Sequence, residues 1–407
     1  MTRSIRPSAL RVGAVALAVL LGAATPAAAQ PDPETIVNAF EAVLGPIRTH
    51  RPSHPKGLCA AGHFTATPDG TRLSVAPVFS GQRNTALIRF GVAGANPNAS
   101  DSARGTRGLS IRFESPSGDL FEMANISAPV FGAMHPQAFV DGLLSRANDP
   151  ATGRPNPERA AAYATYLAAN PSVGNQGRYI AANAPPVSFA TTPYWGVNTF
   201  LFRGQDGQVR PARWVFEPRA GVMRLTAEQM QSMGANFLAD ELRRRVAAGP
   251  VEFDMVLQFP GQGDDLLNPT IAWPDDRPRT VVGRLAVTAV EAGPGGPCDP
   301  ISFMILDQAP GIEMSDDPIL QARAAAYAVS LSRRVGGGNS PDPPPFSGTW
   351  ELTAEVSSRT TSNGGGFGGG VLPRSYFFLA FTITPSLSSA AISASLNPRA
   401  TSTSRPC

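Results

Sequence analysis

Two spacings of hydrophobic and polar residues alternate along the chain. Apolar positions fall at helical intervals over residues 33–48, where Ile36, Val37, Phe40, Val43 and Leu44 share one face. From His63 to Phe131 the period shortens towards two. The runs Leu73–Phe79, Thr85–Phe90 and Gly108–Phe113 are punctuated by Gly, Pro and Asn, which predicts an antiparallel meander or barrel. Helical spacing returns over 137–147, 157–168 and 226–247, the last ending before Gly249-Pro250. Further strands are predicted at Phe253–Phe259 and Val281–Val290. A last helix starts after Ser315 and runs to about Arg334. Asp316 and Asp317 stand in its first turn, where negative side chains suit the helix dipole. The expected class is α+β, a sheet with flanking helices.

The ends of the chain behave differently. Arg3, Arg6 and Arg11 precede an apolar run from Val12 to Ala24, and Ala27-Ala28-Ala29 supplies small residues for cleavage. This is the pattern of a secretory signal peptide, 1–29, with cleavage expected after Ala29. Arg3 and Arg6 are not adjacent, so no twin-arginine motif is present. A periplasmic or secreted mature protein follows. No later run has the ~18 apolar residues of a membrane span, so no stable span is expected after cleavage. Beyond Val335 the composition breaks into the linker Gly336–Pro345 and a Ser-, Thr- and Gly-rich stretch with Gly364–Gly370. Residues 336–407 are expected to be mostly disordered, with one strand-like run, Ser375–Thr384. At about 150 residues per domain, 407 residues would suggest two or three. Setting both ends aside leaves one domain, 30–335.

The net charge of +3 suggests an acidic partner until the basic residues are read. Only Lys56 is lysine. The arginines are scattered, and the densest cluster is Arg243-Arg244-Arg245 on a predicted helix, so the dense stripe of a nucleic-acid surface is missing. Arginine does suit forked contacts to carboxylates. Cys59, Cys298 and Cys407 are too few for a disulfide scaffold, and a Cys59–Cys298 bridge and two buried thiols are both compatible with the sequence. His50 and His54 have the i, i+4 spacing of a helical metal pair, but Pro52 and Pro55 break any helix there. Neither a Gly-x-Ser-x-Gly elbow nor a phosphate-binding loop occurs.

Three segments are more specific. Arg51-Pro-Ser-His54-Pro-Lys-Gly57 resembles the Arg-x-x-His-Ala-Lys-Gly segment of the haem catalases. Pro310–Asp317, followed by Arg323-Ala-Ala-Ala-Tyr327, resembles their Pro-Pro-Gly-Ile-x-x-Ser and Arg-x-x-x-Tyr segments. Asn268–Pro274 followed by Val282-Gly-Arg-Leu285 is similar to a third. The match runs in order over roughly 35–335, a length similar to the short catalase-related peroxidases. The resemblance implies an antiparallel eight-stranded β-barrel with flanking helices and a haem b cofactor. It implies a peroxidase that reduces hydrogen peroxide or an organic hydroperoxide with a small-molecule electron donor. A haem hydroperoxide isomerase or lyase, or a non-catalytic haem-binding protein, are the alternatives.

Residue roles follow from the same resemblance. Tyr327 is the expected axial ligand of the iron. Arg323, one turn earlier on the same face, can hydrogen-bond its phenolate. Arg334 is eleven residues after Arg323, about 1100° of helix rotation, so it returns to nearly the same face and can meet a propionate. Arg51 and Arg89 match arginines that pair with propionates. Phe131 and Phe139 match the two phenylalanines that pack on the haem. His54 is the expected acid–base residue, with Asn125 beside it. The sequence departs from the family at three points. Asn125 stands four residues before Pro129 rather than three, which requires a one-residue shift. Gly91 replaces a serine that supports the histidine, and Pro55 replaces an alanine.

Overall fold

The structure, a computed structural model, describes residues 30–44, 51–94, 96–148, 153–293, 296–303 and 309–336. The expected signal peptide, the tail with Ser375–Thr384, His50 and Cys407 lie outside the described residues.

The strands are β1 (Gly57–Ala66), β2 (Arg83–Val92), β3 (Arg107–Glu114), β4 (Leu120–Ile126), β5 (Tyr194–Arg203), β6 (Val209–Pro218), β7 (Val251–Gln258) and β8 (Arg279–Val290). They pair in the order β4-β3-β2-β1-β8-β7-β6-β5, each antiparallel to its neighbour. A bridge between Ile126 and Trp195 joins β4 to β5 and closes an eight-stranded barrel. A short strand, β9 (Ile312–Met314), adds to β5. Closure leaves the eight strands no open edge.

Alternation fills the barrel. Ile88, Phe90, Leu109, Ile111, Phe113, Phe121 and Met123 are fully buried, and their neighbours in sequence point outward. Phe64 stacks on Phe113 with centroids 4.6 Å apart, and Trp214 packs against Phe200 at 4.4 Å. Each such ring removes roughly 150–250 Å² from water, which makes these contacts the main contributors to the core.

The helices are α1 (Pro33–Leu44), α2 (Pro68–Leu73), α3 (Pro136–Leu144), α4 (Pro157–Ala169), α5 (Asn175–Ala182), α6 (Ala227–Ser232), α7 (Phe237–Ala248) and α8 (Pro318–Gly336). Outside the barrel, α1, α3 and α8 share a second core of Ile36, Val37, Val140, Leu143 and Ala326. Arg333 ties α8 to α1 through a 3.0 Å ion pair with Glu41 and a 2.8 Å bond to Asn38.

Two expectations are corrected. Leu73–Phe79 is not a strand: α2 ends at Leu73, and Pro77–Phe79 forms a 3-10 turn. Pro68 and Pro77 each occupy a first helical turn, where a missing N–H costs nothing, and Thr67 caps the Gly70 amide. The helix expected over 226–247 is two helices, parted around Gly234. Strands β5 and β6 are not signalled by the sequence pattern, because both are buried on both faces over most of their length and so do not alternate.

Candidate functional site

The inward run of Ile88, Phe90, Leu109 and Ile111 sends Arg89, Gly91, Gly108 and Ser110 to the outer face of the barrel. There α1, α3 and α8 enclose a cavity of about 460 Å³. Arg51, His54, Arg89, Asn125, Phe131, Phe139, Arg323 and Tyr327 all line it. Ile36, Phe40, Phe131, Phe139, Leu143 and Val197 supply apolar walls. Phe131 and Phe139 stack at 5.5 Å, and Phe40 meets Phe139 edge-on at 5.4 Å. The Asn268–Pro274 segment supports this wall. Pro269 O accepts the Phe131 amide, while the buried Arg213 lies 4.4 Å from the Trp273 ring and donates to the Ile271 and Asn268 carbonyls.

His54 sits just before β1 with φ of 56°, the one non-glycine residue in the left-handed region among those described. Holding a residue there, next to a proline, costs about 1–3 kcal/mol and marks a position fixed by its surroundings. The imidazole lies against Gly91 and Gly108. A Cβ added at Gly108 would stand 2.9 Å from Nδ1. His54 Nδ1 is sealed from solvent without a hydrogen bond of ordinary geometry, with the Gly91 backbone the group nearest to offering one. Nε2 is therefore the nitrogen left to exchange a proton. Burial, reinforced by the charges of Arg89, Arg107 and Arg51, lowers the His54 pKa to about 4.

Tyr327 and Arg323 occupy successive turns of α8. Arg323 Nη2 donates to the Tyr327 hydroxyl oxygen at 2.9 Å and Nε at 3.3 Å. The rest of the guanidinium is also engaged: Nη1 donates to Asn198 Oδ1 at 2.5 Å and Nη2 to Ala124 O at 3.2 Å. Asn198 Nδ2 donates in turn to Asp317 Oδ2 at 2.6 Å. Asp317 is fully buried and caps α8 by accepting the Ile319 amide at 2.9 Å. A continuous hydrogen-bonded chain therefore runs from a buried carboxylate to the phenol. Asn198 and Asp317 were not among the expected site residues. Asn198 lies on a strand that the pattern does not reveal, and Asp317 reads as a helix-dipole residue only.

Three arginines meet at residues 298–301. Arg51 Nη2 donates to Cys298 O at 2.9 Å and Ile301 O at 2.6 Å, and Arg334 Nη1 donates to Asp299 O at 2.9 Å. Arg334 does not line the cavity but reaches the same segment as Arg51. Arg89 Nε faces Asp299 Oδ1 at 3.5 Å without a hydrogen bond, and Arg334 Nε is likewise buried without one. Burial, together with the charges of Arg89 and Arg334, lowers Arg51 to about 9. Three guanidinium groups thus gather at one segment, a concentration of positive charge that suits anionic groups.

Asn125 lines the cavity with its amide already engaged. The β3–β4 register runs unbroken from Gly108↔Ile126 to Glu114↔Leu120, so the one-residue shift is not absorbed by a bulge. Asn125 keeps the inward parity of Phe121 and Met123. Its Nδ2 donates to Leu109 O at 2.9 Å, and its Oδ1 accepts from Trp214 Nε1 at 2.6 Å. Both ends of the amide are thus held by neighbours in the barrel wall beside the cavity.

The family model described as Catalase matches residues 48–343. The chain belongs to the catalase family. It is 39% identical over 330 residues to a catalase-related peroxidase of Synechococcus elongatus, covering 81% of this chain and 96% of that protein. It is 33% identical over 316 residues to a catalase-related peroxidase of Mycolicibacterium paratuberculosis, covering 77% and 98%. The fold is similar to the crystal structure of a fungal catalase (TM-score 0.64, 21% identity) and to catalase A from Saccharomyces cerevisiae (TM-score 0.64, 20% identity). This chain spans about 60% of those two structures.

The residues of this catalase-family chain fit a haem. The cavity offers aromatic panels for a macrocycle and a phenol already held by a guanidinium, with an arginine cluster beside it in which Arg89 Nε and Arg334 Nε make no hydrogen bond. Tyr327 would hold the iron, and Arg51, Arg89 and Arg334 would hold the propionates.

Proposed function

We propose that this catalase-family oxidoreductase is a secreted, haem b-dependent peroxidase of the catalase-related type. Its substrate is hydrogen peroxide or an organic hydroperoxide, and a small-molecule electron donor completes turnover. The observation that carries the reading is one cavity holding both the Arg323–Tyr327 pair and His54 with its sealed Nδ1. Bound haem iron would supply the electrons for breaking the O–O bond. The chain supplies the remainder. His54, neutral above pH of about 4, takes a proton at Nε2 from the near oxygen of the peroxide and delivers it to the departing oxygen. Arg323 donates to the Tyr327 oxygen and holds it in place, and Asp317 with Asn198 orients Arg323. Phe131 and Phe139 keep water from the ring.

Secretion rests on the pattern of residues 1–29, and the Cys59–Cys298 disulfide suits an oxidising compartment. The test is reconstitution of the mature chain with haem. Wild type is expected to give a Soret band and to oxidise a donor with peroxide. Tyr327→Phe is expected to lose the band. His54→Gln should keep the band and lose turnover. A wild-type chain without a Soret band would refute the cofactor. Peroxide consumed without donor oxidation would favour an isomerase or lyase. The unsupported His54 ring and the inward Asn125 leave a second reading, a haem-binding protein without turnover, which the same assay identifies by a Soret band and no reaction.

A further inference from the structure

Residues 296–303 form a strap outside the sheet, and the propionate-side arginines depend on it. The donors come from three distant parts of the chain: Arg51 before β1, Arg89 on β2 and Arg334 at the end of α8. The strap meets Arg51 and Arg334 with the carbonyls of residues 298, 299 and 301, and Arg89 with the Asp299 side chain. It also forms cavity wall through Ser302 and Phe303, with the Arg51 guanidinium 5.8 Å from the Phe303 ring.

Among the described residues the strap belongs to no strand, and its backbone bond there is a turn from Asp299 N to Gly296 O. Besides its chain connection to the end of β8 at Val290, it is tied to the barrel by the disulfide from Cys298 to Cys59 on β1. Cys59 stands opposite Arg89 in the β1–β2 register. With Leu58 and Ala60 in the barrel core, Cys59 faces outward on the Arg89 side. Both sulfurs are buried, with Phe303, and Leu87 and Ile301 pack against them. Opening the bond frees the strap from β1 and leaves it held by its chain connection to β8 and its hydrogen bonds to Arg51 and Arg334.

We infer that the Cys59–Cys298 disulfide is a redox latch for cofactor retention: it positions the strap that aligns Arg51, Arg89 and Arg334, and the open dithiol form releases haem faster. This rests on the haem reading above. Closing the latch takes two protons and two electrons from the two thiols. One hydrogen peroxide accepts them, its O–O bond breaks, and two waters leave as the S–S bond forms. Cys59 and Cys298 are positioning residues in turnover: peroxide meets a sulfur only when the latch closes, and neither sulfur takes part in the reaction at His54.

The test compares the full haem-loaded protein with its C59S/C298S double variant. Haem transfer to excess apomyoglobin is expected to be roughly tenfold to a hundredfold faster in the variant, as for other residues that orient ligand-holding groups. Far-UV circular dichroism should be unchanged. Equal transfer rates in a folded variant would overturn the inference. Hydrogen exchange over 296–303 in the haem-free chains gives a second readout, with faster exchange expected in the variant and equal exchange overturning the latch. If the variant does not fold, thiol-reduced wild type takes its place in both measurements. Wild type that takes up no haem would overturn the cofactor reading, and exchange would still decide whether the bond holds the strap.

Discussion

At the scale of single residues, the His54 ring is bounded by two positions without side chains, and they differ in room. A Cβ at Gly108 would meet Nδ1 at 2.9 Å and Cε1 at 3.1 Å, closer than atoms pack, so the ring must move. Gly108→Ala is therefore expected to lower kcat/KM for peroxide about a hundredfold while the Soret band stays, because misplacing a catalytic group by an ångström has that effect. At Gly91 a Cβ would stand 3.4 Å from Nδ1 and 3.2 Å from His54 Cβ. A serine there fits with small adjustments and brings a hydroxyl to the unpartnered nitrogen. Gly91→Ser should raise oxygen release from hydrogen peroxide several-fold relative to donor oxidation, and a fall in both would refute the account of an unsupported ring. The same residue sets the acid limb of the pH profile. His54 must be neutral to accept a proton, and burial holds its pKa at about 4. Activity should stay level from pH 8 to 5 and fall below about 4; an inflection near 6.5 would contradict this. For stability the sign is also fixed. Between about 6.5 and 4 the unfolded histidine binds protons that the folded one refuses, so this residue destabilises the fold increasingly across that window as pH falls, and contributes nothing above it.

At the scale of elements, α8 combines its own capping with the support of the phenol. Asp317 accepts the first-turn amides of Ile319 and Leu320 and also the Asn198 amide, although burial raises its pKa. Asp317→Ala removes the cap and leaves Asn198 unsatisfied, a loss of about 1–3 kcal/mol. Asp317→Asn keeps an acceptor for the helix. Thermal melts should place the asparagine variant between wild type and alanine, and both should shift the Soret band of the holoprotein. Equal melting temperatures in all three would show that the carboxylate supports neither helix nor phenol. Much of this element is legible in the sequence: the helical period, the acidic first turn and the i, i+4 spacing of Arg323 and Tyr327 need no tertiary information. Strands β2 and β3 are legible for the same reason, with alternation placing Arg89 outward. Asn198 is not legible, because β5 is buried on both faces and has no period to read. Nor is the facing of Asn125, since an offset of one residue selects the side of the sheet only once the β3–β4 register is known. The strap is hidden for another reason: its contribution is mostly backbone carbonyls, to which the side-chain pattern is blind.

At the scale of the whole molecule, the modest net charge of +3 conceals an uneven distribution. Most arginines on the outside pair with nearby acids, as in Arg219 with Glu252 and Asp254 or Arg279 with Glu217. Exposed pairs of this kind are worth at most about 1 kcal/mol each and leave little field. Inside, Arg51, Arg89 and Arg334 gather on the 298–301 segment, and burial lowers the pKa of all three. Each lowered value means that the folded state holds its charge at a cost below the unfolded pKa, and that the cost is relieved only as pH rises through the folded value, about 9 for Arg51. A dianionic cofactor would offset this cost at neutral pH. The haem-free protein should therefore be stabilised by phosphate or citrate at constant ionic strength, with a melting temperature that rises with anion concentration. Haem should raise the melting temperature further and abolish the anion dependence, since its propionates would occupy the same guanidinium groups. Anion dependence that persists unchanged in the haem-loaded protein would separate the arginine cluster from the cofactor.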